Sequence, residues 1–168
     1  MRAEDERRYV EYVGARLPWI RKIAFLLCHD WHRADDIAQT AITRLYVHWR
    51  HARAAVSLDA YTRTVVVRVF LTERRGGWAT RVDLPGELPI GATVDEADPA
   101  LRLAVRWALA DVPPRQRAAL VLRYYCDLSV EETAEVLRCS AGTVKSQTAR
   151  GLDALRRVMD ARQITVEG

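Results

Sequence analysis

The stretch that most constrains the fold runs from Leu128 to Arg157, LSVEETAEVLRCSAGTVKSQTARGLDALRR. Ser129 stands three residues ahead of Glu132, the spacing at which a hydroxyl and a carboxylate reciprocally cap a helix start. Val130, Thr133, Ala134 and Leu137 then recur on one helical face. Arg138 and Cys139 supply a turn, and Ser140 opens a second, longer helix. On that helix Val144, Thr148, Leu152, Leu155 and Met159 step along one side. Thr143, Ser146, Gln147, Arg150 and Arg157 fall on the roughly opposite side, and nearly all of them are hydrogen-bond donors. A buried stripe backed by a donor-rich face fits the recognition helix of a helix-turn-helix. The competing reading is an ordinary helical hairpin with a solvated polar face.

The chain has 168 residues, enough for one domain or two small ones. It is 49% apolar and 29% charged, which suits a folded protein with a real core. Its formal net charge of +4 permits a polyanionic partner without requiring one. No apolar run approaches the roughly 18 residues that span a bilayer, and MRAEDERR lacks the apolar stretch of a signal peptide. The expectation is a cytoplasmic protein with no membrane insertion of its own. Cys28, Cys126 and Cys139 are isolated, and His29, His32, His48 and His51 do not complete a four-ligand set. The reading is therefore of buried thiols and surface histidines, with no metal and no cofactor.

Other segments carry the same helical period. Tyr9, Val13, Leu17, Ile20, Ala24 and Leu27 predict a helix over 5–27, with Pro18 expected to kink or divide it. Asp30 caps a predicted helix reaching Trp49, whose buried stripe is Ala34, Ile37, Ala38, Ala41, Leu45 and Trp49. Asp35 and Asp36 suit its positive end, and complementing the dipole would by itself explain them. RHARAAVS, residues 50–57, is expected to be a basic loop. Thr64 to Phe70 is rich in β-branched residues and looks strand-like. Leu58, Tyr61, Val65, Val69 and Thr72 nonetheless keep helical spacing, and no second strand is available for pairing. This segment is predicted helical.

Between Gly76 and Pro99 periodicity stops. Glycines and prolines recur, and five acids, Asp83, Glu87, Asp95, Glu96 and Asp98, face one base, Arg81. This is the composition of a flexible acidic linker between two more basic helical modules. Beyond it Leu101, Val105, Leu109 and Val112 share a face, Pro113 and Pro114 break the chain, and a helix is predicted over 115–125 with Ala118, Leu122 and Tyr125 inward. The fold class is all-α: two small helical domains joined by the linker, the second a four-helix domain containing the helix-turn-helix.

Three segments together resemble a known family. DDIAQTAITRLYVHW is similar to the core-polymerase-binding helix of bacterial sigma-70-type transcription initiation factors of the extracytoplasmic-function (ECF) group. AYTRTVVVRVFLTERR resembles the promoter-reading helix that follows it, and VPPRQRAALVLRYYCDLSVEETAEVLRCSAGTVKSQTARGLDALRR resembles the C-terminal module. The chain is identified as a minimal two-domain member of the group, similar to the sigma-E-like actinobacterial subfamily. The resemblance implies region 2 over 1–75, a linker over 76–98 and region 4 over 99–168.

It also implies roles. Asp35, Asp36, Ile37 and Gln39 would meet the basic β′ clamp helices of core RNA polymerase, and the β flap would be a further contact. Downstream promoter DNA, melted to single strands, would be held by Trp49, Arg50, His51, Arg53, Tyr61, Arg63 and Arg68, with Tyr46 nearby. Trp49 and Tyr61 also fit the core stripe. Double-stranded upstream DNA would meet Ser140, Thr143, Lys145, Ser146, Gln147 and Arg150 in the major groove. Arg115, Arg117 and Arg123 would add phosphate contacts, unless they form a merely solvated basic face. An anti-sigma factor is an implied partner, and the acidic linker would occupy a basic channel that later receives RNA. Arg138 stands where the group commonly has glycine, Arg68 where it often has asparagine, and SQTARG differs from the usual recognition helix, so no promoter preference transfers.

Two other function classes compete. A stand-alone helix-turn-helix regulator would use the first module for sensing or dimerisation, but would have no reason to carry Asp35-Asp36-Ile37-x-Gln39 and the basic segment after Trp49. A metal-dependent nucleic-acid enzyme would need acids that converge, whereas Asp35 and Asp36 are adjacent and diverge by about 100° on a helix. The chain is therefore read as non-enzymatic.

Overall fold

Helical spacing becomes helix in the computed structural model, which describes residues 1–75 and 99–167. The chain divides into two units, Met1–Gly91 and Ala92–Gly168. The acidic linker expected over 76–98 lies outside the described residues.

The first unit contains α1 (Ala3–Cys28), α2 (Trp31–Val47), α3 (Trp49–Ala54) and α4 (Leu58–Arg75). Ile20, Ile23 and Leu27 of α1, Ile37 and Leu45 of α2, and Val66, Val67, Val69 and Phe70 of α4 are fully buried. Asp30 caps α2 as its sequence position suggests, accepting from the His32 amide at 2.9 Å and the Arg33 amide at 3.3 Å. Contrary to the expected break, α1 runs through Pro18. Pro18 and Gly14 are both exposed, so the carbonyl that proline leaves unbonded can turn to water.

Two further expectations are corrected. Residues 50–57 are not all loop: α3 occupies 49–54, with the Ala52 amide donating to the His48 carbonyl at 3.0 Å and with Trp49 and Ala52 buried. On α4 the predicted face was Leu58, Tyr61, Val65, Val69 and Thr72, but Thr72 is exposed and Thr62, Val66, Val67 and Phe70 are buried instead. Because α1 and α2 both pack on α4, its apolar band is wider than one stripe and centred elsewhere. The hydroxyls of Thr62 and Thr64 donate to the carbonyls four residues back, both at 2.9 Å, which lets these polar side chains sit in a helix.

The second unit contains α5 (Pro99–Leu109), α6 (Pro114–Leu120), α7 (Val130–Leu137) and α8 (Ala141–Glu167). The helix predicted over 115–125 ends as a π-helical turn at Val121–Tyr125. Leu109, Val112 and Leu120 form a core on which Val105, Leu152, Ala154 and Leu155 pack. Gly151 is buried where α8 crosses α6, and a Cβ there would lie 3.0 Å from Leu120 Cγ and 3.3 Å from the Gln116 carbonyl oxygen. Glycine, costly inside a helix, is here what lets the two backbones approach.

Arg117 changes its assignment. It is 6% exposed, not a free phosphate contact. Its Nε donates to the Leu109 carbonyl at 2.8 Å, and its Nη2 donates to Ala110 at 2.9 Å and Val112 at 2.8 Å. These carbonyls lie at the end of α5 and just past it, where the helix offers no partners of its own. A buried guanidinium with its donors satisfied replaces them.

Gly151→Ala gains about 1 kcal/mol in helix propensity but overpacks the crossing at a cost of about 1–3 kcal/mol, so thermal unfolding should show a lower midpoint. Gly14→Ala, where a Cβ meets nothing within 4 Å, should raise stability by about 1 kcal/mol in the same assay. Arg117→Met strands buried carbonyls, each worth about 1–3 kcal/mol when unsatisfied, and should lower the urea midpoint far more than Arg156→Met on the exposed face of α8.

Candidate functional site

The helix-turn-helix is built from local chemistry. The Glu132 amide donates to Ser129 Oγ and the Ser129 amide to Glu132 Oε1, each at 3.0 Å, completing the predicted reciprocal cap. Arg138 ends α7 with φ 54° and ψ 50°. It thus adopts the left-handed turn that glycine would take without cost, and does so with a side chain, at a penalty of about 1 kcal/mol. Ser140 caps α8, its Oγ accepting from the Thr143 amide at 3.1 Å and lying 3.0 Å from Thr143 Oγ1.

Val144 is fully buried beneath α8, while Thr148, Leu152, Leu155 and Met159 are half-buried along the predicted stripe. Ser140, Lys145, Ser146 and Arg150 are exposed; Thr143 and Gln147 are half-buried. The Thr148 hydroxyl donates to the Val144 carbonyl at 2.7 Å. The exposed turns at the start of α8 therefore present hydroxyls, an ammonium and a guanidinium together. Such groups can donate to phosphate oxygens and to base edges.

Arg115 and Arg123 are occupied differently from what the sequence suggested. Arg115 Nη2 donates to the Leu137 carbonyl at 3.4 Å, at the end of α7, and Arg123 Nη1 donates to the Leu128 carbonyl. Both hold the entry and exit of α7. Arg115 remains exposed and Arg123 half-buried, so some of their donors stay available.

In the first unit Asp35, Asp36 and Gln39 are exposed along α2, but Ile37 is fully buried. Ile37 therefore anchors the acidic turn from below and offers no contact surface. Asp35 accepts from Arg21 Nε at 2.6 Å, and the Arg21 guanidinium lies 5.2 Å from the Trp31 ring centroid, which itself stacks on Phe25. Glu73 of α4 extends the acidic face: burial first, then the neighbouring Asp36 charge, pushes its carboxyl above the usual range. Nothing in linear spacing pointed to Glu73, since α2 and α4 bring the two acids together.

The residues expected to hold melted DNA lie around α3. Trp49 is only 3% exposed and packs edge-on to Tyr9, with centroids 5.5 Å apart, and beside Tyr12. Its ring is committed to the core, as its place in the predicted buried stripe suggests, so the DNA contact that the resemblance implied for Trp49 is corrected. Tyr46 is 44% exposed, Tyr61 half-buried, and Arg50, His51 and Arg53 exposed. Arg63 and Arg68 on α4 are half-buried, and Arg68 has an interaction of its own within the protein.

Two clefts flank Trp49. One, of about 690 Å³, is lined by Arg8, Glu11, Tyr12, Arg53 and Leu58 besides Trp49; the other, of about 290 Å³, by Met1, Asp5, Tyr46 and Arg50 among others. The Tyr12 hydroxyl donates to Asp59 Oδ1 at 2.8 Å and lies 2.9 Å from Thr62 Oγ1. Burial, the largest influence, together with the Asp59 carboxylate pushes this phenol up to about 12, so it stays protonated at neutral pH. Asp5, Tyr12 and Asp59 escaped the sequence reading because their partners lie more than forty residues away.

Among the described residues no three histidine, cysteine, aspartate or glutamate side chains gather as a metal site, and no helix is long and apolar enough to cross a membrane.

Residues 12–80 match the family Sigma-70 region 2, and residues 102–155 match Sigma-70, region 4. The RNA polymerase sigma-E factor of Streptomyces coelicolor is 37% identical over 163 residues, 93% of this chain and 88% of that protein. The ECF RNA polymerase sigma factor SigW of Bacillus subtilis is 25% identical over 167 residues, 91% of this chain and 89% of that protein. Among solved structures, the sigma factor RpoE from Bartonella quintana, crystallised with the anti-sigma factor NepR, shares the fold with a TM-score of 0.70 at 20% identity. That match covers 92% of this chain and 98% of the other. With both regions present in order and relatives aligned along nearly its whole length, the chain belongs to the extracytoplasmic-function group of the sigma-70 family of RNA polymerase sigma factors.

Proposed function

We infer that this chain is a transcription initiation factor that binds core RNA polymerase, directs it to two-part promoters and assists their melting. One observation carries the reading: a single chain of this family joins an exposed acidic turn on α2 to a helix-turn-helix whose α8 opens with exposed donors. A stand-alone regulator would account for the second feature and leave the first without a use. Sigma factors are non-enzymatic, and the proposal assigns this chain no catalytic step and places it in the cytoplasm.

In this reading Asp35, Asp36 and Gln39, extended by Glu73, face the basic clamp helices of β′. Ile37 holds that turn rigid, and Arg21 fixes the Asp35 carboxylate until a polymerase arginine competes for it. Exposed ion pairs are worth little, so exchange of Arg21 for a cation of the partner costs little and sets orientation. Arg50, His51, Arg53, Tyr61 and Arg63, with Arg68 and Tyr46, line the path of the melted downstream element. Ser140, Thr143, Lys145, Ser146, Gln147 and Arg150 enter the major groove upstream, flanked by Arg115 and Arg123 on phosphates. The second unit would also meet the β flap. An anti-sigma factor is the proposed regulator, a partner class seen with the structural neighbour of the same fold.

The two faces should fail separately. Asp35→Ala with Asp36→Ala should weaken retention on immobilised core polymerase by about tenfold or more, as expected for charges lost from an interface. Lys145→Ala with Arg150→Ala should leave retention intact while promoter-specific transcription falls by about tenfold or more, given roughly 1–3 kcal/mol for each specific contact. Loss of core binding in the second variant would overturn the division of labour.

A further inference from the structure

We propose that Asp5 is a positioning residue for promoter melting: it holds the Arg53 guanidinium at the larger of the two clefts beside Trp49, and it acts through Arg53 alone. The inference rests on the reading of α3 as DNA-facing.

Three acids, Glu4, Asp5 and Glu6, occupy the first turn of α1. All three would complement the helix dipole from an exposed position, and Glu4 and Glu6 are exposed. Asp5 is not: its side chain is 7% exposed and accepts from Nη1 of Arg53, 48 residues further along. Burying a carboxylate at a helix start brings a desolvation penalty that the dipole does not require, so its depth needs another explanation. The Arg53 side chain, by contrast, is 42% exposed. A guanidinium carries five N–H donors in a rigid planar fork. A bond from one nitrogen to a buried acid tethers the fork in place and leaves other donors directed elsewhere.

The surroundings say what that tethered fork is for. Arg53 borders the larger cleft with Arg8, Tyr12 and Leu58, while Asp5 borders the smaller one with Tyr46 and Arg50. Trp49 lies against both and keeps α3 packed on α1 through Tyr9 and Tyr12. An unsupported arginine would lose much rotamer freedom on gripping a phosphate or a displaced base. With Asp5 in place that ordering occurs on folding, before DNA arrives, which is the advantage of a preorganised contact. The nearby Arg50 is exposed with no partner among the described residues and can approach the backbone as a mobile charge. The two arginines would thus divide the task, one steering and one fixed.

The test uses holoenzyme reconstituted from core polymerase and the full chain, on a promoter mapped from its own transcripts, with open complex read by permanganate reactivity. Arg53→Ala should reduce open complex by about tenfold, the scale of one charge-assisted contact. Asp5→Asn, which keeps shape and removes charge, should reduce it by about fivefold, with core affinity unchanged within about twofold. The double variant should be no worse than Arg53→Ala, because Asp5 has nothing left to position. Asp5→Glu should recover part of the loss. If Asp5→Asn abolishes core binding through misfolding, Arg53→Lys in the Asp5 background decides: a lone ammonium cannot replace the fork, so opening should stay near the Arg53→Ala level. Full opening with Arg53→Lys, or losses that multiply in the double variant, would overturn the inference. Normal opening with Asp5→Asn while Arg53→Ala fails would also overturn it. Normal opening with Arg53→Ala would instead remove the DNA-facing reading of α3 on which it rests.

Discussion

Short helices end in carbonyls that have no partner within the helix, and in the C-terminal unit guanidinium groups supply the missing bonds. Arg117 closes the end of α5 from within the core, Arg115 reaches the last carbonyl of α7, and Arg123 reaches Leu128 ahead of it. Arg162 of α8 donates to the Trp107 carbonyl of α5 and pairs with Asp111. With α6 of seven residues and α7 of eight, neither helix is long enough to be stable alone. Their geometry depends on these cross-bonds and on α8, which passes α6 at Gly151. The direction in which α8 presents Lys145 and Arg150 follows from that scaffold.

The same accounting separates structural charge from charge open to a partner. In the first unit Arg16 pairs with Asp59, Arg21 with Asp35 and Arg53 with Asp5. Each joins α1 to an element that follows, but the two exposed pairs add little; it is packing of α1 on α2 and α4, and of its Tyr9 and Tyr12 on Trp49, that makes the long first helix a rail for the others. Tyr9 and Tyr12 reinforce it, the first donating to the Ile42 carbonyl at 2.8 Å and the second to Asp59. The exposed acids of α2 and the exposed cations of α3 are thereby held on one frame. In the proposed reading that arrangement lets the polymerase contact and the melted strand be engaged together.

Much of this was legible in the sequence, for physical reasons that differ by element. The cap at Ser129 and Glu132 and the cap at Ser140 are local chemistry, so spacing alone located α7 and α8. The helical period overrode the β-branched run in α4, because burial follows periodicity more closely than propensity. Six residues cannot display a 3.6-residue period convincingly, which is why α3 read as loop. The π-helical turn after α6 keeps Val121 and Leu122 inward and leaves no mark on their spacing. Arg117 and Asp5 were invisible for a deeper reason: an arginine bonded to backbone carbonyls has no signature in sequence, and one acid among three in a helical turn looks like its neighbours. Ile37 and Trp49 were both placed in a buried stripe by spacing and are buried, which leaves no surface for the contact roles that the resemblance implied for them. The turn residue Arg138 kept the left-handed geometry despite its side chain, so the family's hairpin does not need glycine there.

One chain couples polymerase binding to recognition of a promoter in two separate parts. The most direct test is to reconstitute holoenzyme from purified core polymerase and this chain, transcribe a fragmented genomic library, and sequence the 5′ ends of the RNA. A discrete set of start sites that depends on the chain is expected, with two short motifs at constant spacing upstream of each. Start sites unchanged from those of core polymerase alone, or a single motif with no partner, would contradict it.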